Sequence, residues 1–321
     1  MRIFVMKCNV SRMALAVTAV WMFFAAGCSA AKSVYQYLNE PAMSRPSSIK
    51  SDKSGLKKKV LLLPCLNQTD MEQKRFEEIT RTFTALVEKD NHLLMEGTEE
   101  PIPTTVKIRS PRFGILTDTD VAKRAEEMGI HFLITAVLNP FELRLKRAGV
   151  WPFRKVKKEV EMSMVVNAVD LVNGTLFLTN LESEKTEFVL DQDLIEEEGI
   201  KMDIPKIDDK TFMSLWTRIL ERQASVLRKS LRDQPWTGRI LSSDGKSIVV
   251  NAGSSVGLST GRVFEVFGRG EPIRSASGRS IYLLGPKVGE IKTVEVREHS
   301  ASAEPLSEAR YIPGQVIRAK N

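Results

Sequence analysis

Hydrophobic residues in the first two thirds of the chain alternate between strand and helix patterns. The apolar run from Val60 to Leu63, closed by Pro64, predicts a buried strand. One apolar stripe with spacings of three and four residues then predicts a helix. This helix is capped by Thr69 or Asp70 and ends near Glu88. The stripe consists of Phe76, Ile79, Phe83 and Leu86.

The next segments continue this alternation. A weak strand is predicted around 106–108, and a second helix begins after Thr117-Asp118 and ends at Gly129, a residue type that favours helix C-termini. Residues 131–138 predict another buried strand.

Residues 160–168 show the clearest strand pattern, because apolar side chains there occupy every second position. Asn173-Gly174 predicts a two-residue hairpin turn, with 175–180 as the returning strand. A long helix is expected from about Lys210 to Leu231, with Gln223 as the one polar residue on its buried side and Pro235 ending it.

The pattern changes after Trp236, where short strands are separated by turns about every eight to twelve residues. This spacing predicts a small β-barrel or sandwich. Gly268-Arg269-Gly270, followed by Gly278, lacks the spacing and the following helix of a phosphate-binding loop and is interpreted as a flexible hairpin tip.

The amino terminus carries an export signal. A basic start and an apolar run from Met13 to Ala26, too short to span a bilayer, predict a signal peptide over 1–27. The ending Ala25-Ala26-Gly27-Cys28 resembles the lipobox of bacterial lipoproteins, which implies that Cys28 is lipidated. Ser29 rather than aspartate follows, which favours the periplasmic face of the outer membrane.

The chain therefore divides into four predicted segments. After the signal peptide come a flexible tether over 28–56, rich in Ser, Pro, Lys and Gly, an α/β domain over 57–234 and a small all-β barrel over 235–321. The fold class is α+β.

Charge and cysteine content exclude several classes. Removal of 1–27 takes away three basic residues and leaves 44 of the 47 basic residues against 40 acidic ones, too small an excess to indicate a nucleic-acid partner. Loss of Cys8 and lipidation of Cys28 leave only Cys65, so no disulfide framework is expected, and Cys65 is interpreted as a small buried hydrophobe.

No arrangement of residues predicts catalysis. His92, His131 and His299 lack partners at metal-ligand spacing, and His131 is interpreted as a satisfied core or edge residue. Asp118 and Asp120 fit helix capping better than a metal pair. We expect no enzyme activity, no cofactor other than the lipid on Cys28, no metal and no small-molecule substrate.

A basic segment without acidic residues runs from Arg144 to Lys158. We interpret it as a loop that contacts phosphate headgroups or an acidic partner; the alternative is a solvated loop whose Trp151 folds back on the body. The predicted contact residues are Arg144, Lys146, Arg147, Trp151, Phe153, Arg154, Lys155, Lys157 and Lys158.

Two resemblances to known families cover most of 57–321. Val60-Leu61-Leu62-Leu63-Pro64 with Asn67, the segment 122–136 and Val169-Asp170-Leu171-Val172-Asn173-Gly174-Thr175 resemble the periplasmic fold shared by the amino-terminal domain of TolB and the curli secretion lipoprotein. The segments 238–240, 247–251, 257–261, 263–266 and 285–291 resemble the carboxy-terminal barrel of the flagellar assembly protein T family. That family combines both parts and implies a non-catalytic role in building a ring.

The function predicted from the sequence is a lipid-anchored scaffold or assembly factor for an envelope protein complex, flagellar first and secretory or polysaccharide-exporting second. The alternative is a lipoprotein that activates a peptidoglycan synthase across the periplasm. A membrane-spanning pore is disfavoured, because 144–158 is too short and too basic to supply transmembrane strands.

Overall fold

The computed structural model describes residues 54–96, 124–126, 128–148, 155–189, 207–274 and 280–320. The predicted signal peptide, Cys28, the strand near 106–108, Asp118, Asp120, Trp151, Phe153 and Arg154 lie outside these ranges. Within them the protein is mixed α/β and mostly sheet. The elements of the α/β part are β1 (Lys58–Leu62), β2 (Leu66–Asn67), α1 (Gln73–Glu88), β3 (Leu93–Met95), β4 (Phe132–Leu138), β5 (Glu142–Ala148), β6 (Lys155–Asp170), β7 (Thr175–Val189) and α2 (Asp209–Asp233).

One sheet organises this part in the order β3-β1-β4-β6-β5, with β2 on β4 and β7 on β6. The pairs β1–β3 and β1–β4 are parallel, whereas β6 is antiparallel to β4, β5 and β7. The inner half of β6 pairs with β4 and its outer half with β5, while β7 follows β6 along nearly its whole length. The outer halves of β6 and β7 with β5 therefore form a three-stranded lobe beyond the end of β4.

Helices α1 and α2 cover one face of the sheet, where their apolar stripes meet β1, β4 and β6 in the main core. The predicted α2 is confirmed with slightly wider bounds. Gln223 is fully buried and donates from Nε2 to the carbonyl oxygens of Met164 (2.7 Å) and Asn180 (3.1 Å), which explains a polar residue on an apolar stripe.

The N-cap of α1 lies two to three residues later than predicted. The backbone N–H and hydroxyl of Thr69 both donate to Asn67 Oδ1, and Met71 N donates to Thr69 Oγ1. Thr69 therefore closes a turn before the helix instead of capping it, and Glu72 holds the N-cap position without a side-chain hydrogen bond.

The turn between β6 and β7 has four residues, Leu171–Gly174, rather than the predicted two. The Asp170 carboxylate accepts hydrogen bonds from the backbone N–H groups of Val172 and Asn173 and from Asn173 Nδ2, and Gly174 has a φ of +68°. These bonds stabilise a longer turn than Asn-Gly alone would form. The returning strand β7 extends to Val189, well past the predicted end at Asn180.

The barrel contains β8 (Thr237–Ser243), β9 (Ile248–Val250), a 3-10 turn (Ser254–Val256), β10 (Val263–Arg274), β11 (Ser280–Val296), β12 (Ala301–Pro305) and β13 (Val316–Ala319). It closes in the order β10-β11-β12-β9-β8-β13, which confirms the predicted barrel. Inward side chains such as Trp236, Phe264, Val266 and Ile317 fill its core.

Gly268 and Gly270 lie within β10, so the interpretation of 268–270 as a hairpin tip is wrong. A Cβ on Gly270 would meet the Leu283 carbonyl oxygen at 2.7 Å, and one on Gly285 would meet that of Gly268 at 2.7 Å. Glycine is needed here because the β10 and β11 backbones approach too closely for a side chain.

The predicted tether extends too far towards the fold. Leu56 is only 2% exposed and belongs to the barrel core, and Lys57 N donates to Val256 O at 2.9 Å. An Arg262 guanidinium donates to the Ser54 carbonyl. Residues from Ser54 onwards are therefore part of the folded body.

Side chains join the two parts at their boundary. The buried Lys58 ammonium donates to the carbonyls of Leu231, Arg232 and Gln234, so it caps the end of α2. Trp236 Nε1 donates to Lys57 O at 3.1 Å, and its ring lies 5.5 Å from that of His131. No helix in the described residues is long and apolar enough to cross a membrane.

Candidate partner-binding surface

The predicted basic loop is largely sheet. Residues 142–148 form β5 and 155–161 form the outer half of β6, and the two pair in register from Glu142↔Glu161 to Ala148↔Lys155. The segment is therefore a β-hairpin, and its side chains alternate between the two faces of the lobe.

One face of the lobe carries a ladder of ion pairs. Arg144 Nη2 lies 2.9 Å from Glu142 and 3.5 Å from Glu161, while the Lys146 ammonium contacts Glu159. Lys157 Nζ lies 2.8 Å from Glu187 Oε2. Lys185 Nζ lies 3.2 Å from Glu161 and 3.5 Å from Glu159.

These contacts balance the charge of that face. Four bases meet four acids: Arg144, Lys146, Lys157 and Lys185 against Glu142, Glu159, Glu161 and Glu187. The hydrogen bond from Lys146 lowers the pKa of the Glu159 carboxyl, and the one to Glu142 raises the pKa of Arg144. Basic residues of the segment that are described on this face are thus already paired with glutamates of the same sheet.

The nine predicted contact residues are not brought together on one surface. Lys158 is buried and lies on the opposite face, next to Leu145, which is 38% exposed. For Arg147 and Lys155 the structure describes the backbone but not the side chain. Trp151, Phe153 and Arg154 lie outside the described residues. Contact with headgroups stays a prediction.

Sequence reasoning missed the acidic half of the ladder. The charges at 157, 159 and 161 and those at 185 and 187 were a usable signal, because a period of two places them on one face of a strand. Cross-strand pairing could not be read without the register, which brings Glu161 opposite Lys185 and Glu159 opposite Glu187.

Strand β7 forms the outer edge of this lobe, since in the described residues it pairs only with β6. Side chains of helix α2 cover the middle of β7. Arg222 contacts Glu182 and Glu184 and donates from Nη2 to the Ser183 carbonyl at 3.0 Å, and Arg218 lies 3.1 Å from Glu184. Beyond Glu184, residues 185–189 present an edge without such contacts from α2 in the described structure.

The described residues contain no group of three or more His, Cys, Asp or Glu side chains able to hold a metal ion. Burial raises the pKa of the Cys65 thiol to about 11, and the side chain packs in the main core as expected from the sequence. His131 is likewise a satisfied core residue, as predicted: its Nδ1 accepts from Lys59 N at 2.8 Å.

No protein-family model and no curated protein matches the chain. Solved structures that match include the hypothetical protein CT253 from Chlamydia trachomatis (13% identity, 53% of this chain and 96% of that one, TM-score 0.33). Lipoprotein GNA1162 from Neisseria meningitidis matches at 12% identity over 52% of this chain and 99% of that one, with a TM-score of 0.27. A minor lipoprotein from Acinetobacter baumannii matches at 5% identity over 55% of this chain and 92% of that one, with a TM-score of 0.25. Two of these three are bacterial lipoproteins. Likenesses at this level identify no family for the chain.

Proposed function

We propose that this protein is a non-enzymatic scaffold, held by lipid on Cys28 at the periplasmic face of the outer membrane. It recruits an envelope protein, which adds one of its own strands to the β7 edge. The signal sequence and the cysteine that follows Gly27 support the anchor. The resemblances in the two folded parts favour a flagellar basal body first and a secretion or polysaccharide-export apparatus second.

The observation that carries this proposal is the outer end of β7. An unpaired strand edge offers a row of N–H and C=O groups to another chain. Natural proteins usually cover such edges, and α2 does so at Ser183 through Arg222. The stretch from Lys185 to Val189, which no described element covers, is long enough for a partner strand of about five residues.

The lobe is also built to hold that edge in place. Its charged face is tied together by the ladder, and its other face continues into core residues Val160, Met162 and Met164. A strand with one buried face has a fixed register, so the edge is presented in a single arrangement.

The test places a photo-reactive amino acid at Thr186 in living cells, with Leu241, an exposed residue of β8, as the control position. We expect one dominant cross-linked envelope protein from Thr186 and not from Leu241. Mass spectrometry of that product identifies the machine.

Adjacent proline variants sharpen the result. Neighbouring residues of an antiparallel strand alternate between bonding inwards and pointing outwards, so only one of Thr186→Pro and Glu187→Pro removes an outward N–H. Proline at the position whose N–H points outwards breaks no hydrogen bond to β6, so this variant should keep the stability of the parent. It should nevertheless lose the cross-link recorded from a probe at Lys185. Equal cross-linking in both proline variants, or none from the edge in the parent, would refute strand addition.

A further inference from the structure

Three arginines meet on the outside of the barrel where it faces the α/β part. Arg239, Arg318 and Arg269 belong to β8, β13 and β10, which are neighbours in the barrel. On these strands Ile240, Ile317 and Val266 point into the barrel core, so the arginines project from the opposite face. We call Arg239, Arg269 and Arg318 the arginine cluster.

Three carboxylates of the described residues contact or act on this cluster. Glu126 contacts Arg239 and lies 3.7 Å from Arg269 Nη2. Two acids act on Arg318: Asp170, whose carboxylate already accepts three hydrogen bonds from its own turn, and Glu265, which stands opposite Arg318 on β10 and accepts a hydrogen bond from Lys287. Within the described residues, three guanidinium groups therefore face three carboxylates, and two of these, Asp170 and Glu265, are engaged in other contacts.

Arg239 contacts Glu126 and the Leu171 and Val172 carbonyls, but the donors of the other two arginines are largely unused. Arg239 Nη2 donates to the Leu171 carbonyl at 3.3 Å, but Arg269 and Arg318 make no side-chain hydrogen bond within the described residues. The Arg318 Nε atom is buried without a partner. Burial lowers the pKa of this guanidinium, with the Asp170 charge opposing the shift.

Aromatic rings hold the two arginines with their donor edges free. The Arg269 guanidinium carbon lies 3.6 Å from the Tyr282 ring centre, and that of Arg318 lies 5.6 Å from the Phe267 ring centre. Stacking uses the flat faces of a guanidinium and leaves its N–H edges for an acceptor. Buried donors without acceptors are costly, so a site of this kind favours an anionic ligand.

We propose that the arginine cluster binds a phosphoryl group at the junction between the barrel and the α/β part. Its tetrahedral oxygens can accept from guanidinium groups that approach from three different strands, whereas a planar carboxylate has only two oxygens. Free phosphate and a phospholipid headgroup share this chemistry. The site is separate from the β7 edge and does not depend on the proposed function.

The test uses the full chain in a phosphate-free detergent solution, labelled with 3-fluorotyrosine. The fluorine resonance of Tyr282 is followed as inorganic phosphate replaces chloride at constant ionic strength. We expect a saturable shift, and Arg318→Gln and Arg269→Gln should each weaken binding by about 10- to 100-fold, the range of a charge-assisted hydrogen bond. Arg297→Gln, which removes an exposed arginine of the barrel paired with Glu295, is the matched control and should bind as the parent does.

Vesicles distinguish the two sources of the group. Displacement of phosphate by phosphatidic acid vesicles, but not by phosphatidylcholine vesicles, identifies a headgroup site; displacement by neither identifies a site for free phosphate. A Tyr282 resonance that does not respond to phosphate overturns the proposal. The same holds if Arg318→Gln, folded as judged by its unchanged melting temperature, shifts like the parent.

Discussion

His131 makes the stability of this protein depend on pH in a predictable direction. The side chain is 5% exposed and lies between β1 and the barrel. Its Nδ1 accepts from Lys59 N, a further hydrogen bond joins it to the Thr237 backbone, and the Trp236 ring lies beside it. The lysines at 58 and 59 add positive charge nearby.

Burial is the largest cause that lowers the pKa of His131, from 6.5 to about 4, and the two lysine charges act in the same direction. A pKa unit corresponds to about 1.4 kcal/mol, so this difference corresponds to about 3 kcal/mol of unfolding free energy. The unfolded chain takes up a proton below about pH 6.5 while the folded protein does not, so stability is lost as the pH falls from 6.5 to 4. Below that range the folded state also binds the proton and the loss levels off.

The perturbation is His131→Asn, whose side-chain oxygen can still accept from Lys59 N. Urea unfolding of parent and variant between about pH 7 and pH 4.5 gives the free energy at each pH. The variant should be less stable than the parent at neutral pH and should lack the part of the acid-dependent loss due to His131. His299→Gln, which removes an exposed histidine, is the control and should follow the parent.

The comparison between slopes isolates one group, because the acidic residues that also titrate in this range are common to all three proteins. If the unfolding free energies of the parent and His131→Asn fall in parallel between about pH 6.5 and pH 4.5, buried neutral histidine is not the cause and the reasoning is refuted.

Three further predictions follow from the packing. Leu56→Ala should cost about 2–5 kcal/mol because it leaves a cavity in the barrel core, whereas Leu306→Ala at the surface should change stability by less than about 0.5 kcal/mol; both are measured by chemical unfolding. Gln223→Met should cost about 1–3 kcal/mol because it removes the buried hydrogen bonds of the amide to Met164 and Asn180, while the exposed Glu221→Gln serves as its control, and equal melting temperatures would contradict the role assigned to the amide. Deleting half of residues 29–53 should leave assembly intact for a scaffold close to the membrane, whereas loss of function with an unchanged melting temperature would favour the alternative of a synthase activator reaching across the periplasm.

Local patterns were enough for the elements whose burial is regular along the chain. The apolar stripe of α1, the alternation in β6 and the positive φ of Gly129 all follow from spacing or residue type. The barrel was predictable from its spaced turn residues, but β10 and β11 are 12 and 17 residues long because Gly268, Gly270 and Gly285 lie within paired strands and not in turns.

Features that depend on distant residues were not predictable. Leu56 resembles tether in composition, and only its burial against Val256 and Phe264 shows that it belongs to the barrel. The sequence of 144–158 is basic, but Arg144, Lys146 and Lys157 are paired with Glu187 and with glutamates of β6, whose positions depend on register. Composition describes a segment alone, whereas charge at a surface is a property of neighbouring strands.

The two proposed sites lie at opposite ends of one hairpin. The β6–β7 turn meets the arginine cluster through Arg239, and Tyr282 N donates to Asn173 O at 2.8 Å. From that turn β7 extends 15 residues, or about 50 Å, to the uncovered edge at Val189. Coupling between the sites would require the hairpin to change register. Met162 and Met164 prevent this, because a slip of one residue would move both from the core to the charged face. A phosphoryl group and a partner strand should therefore bind independently, as is needed in a scaffold that holds two components at once.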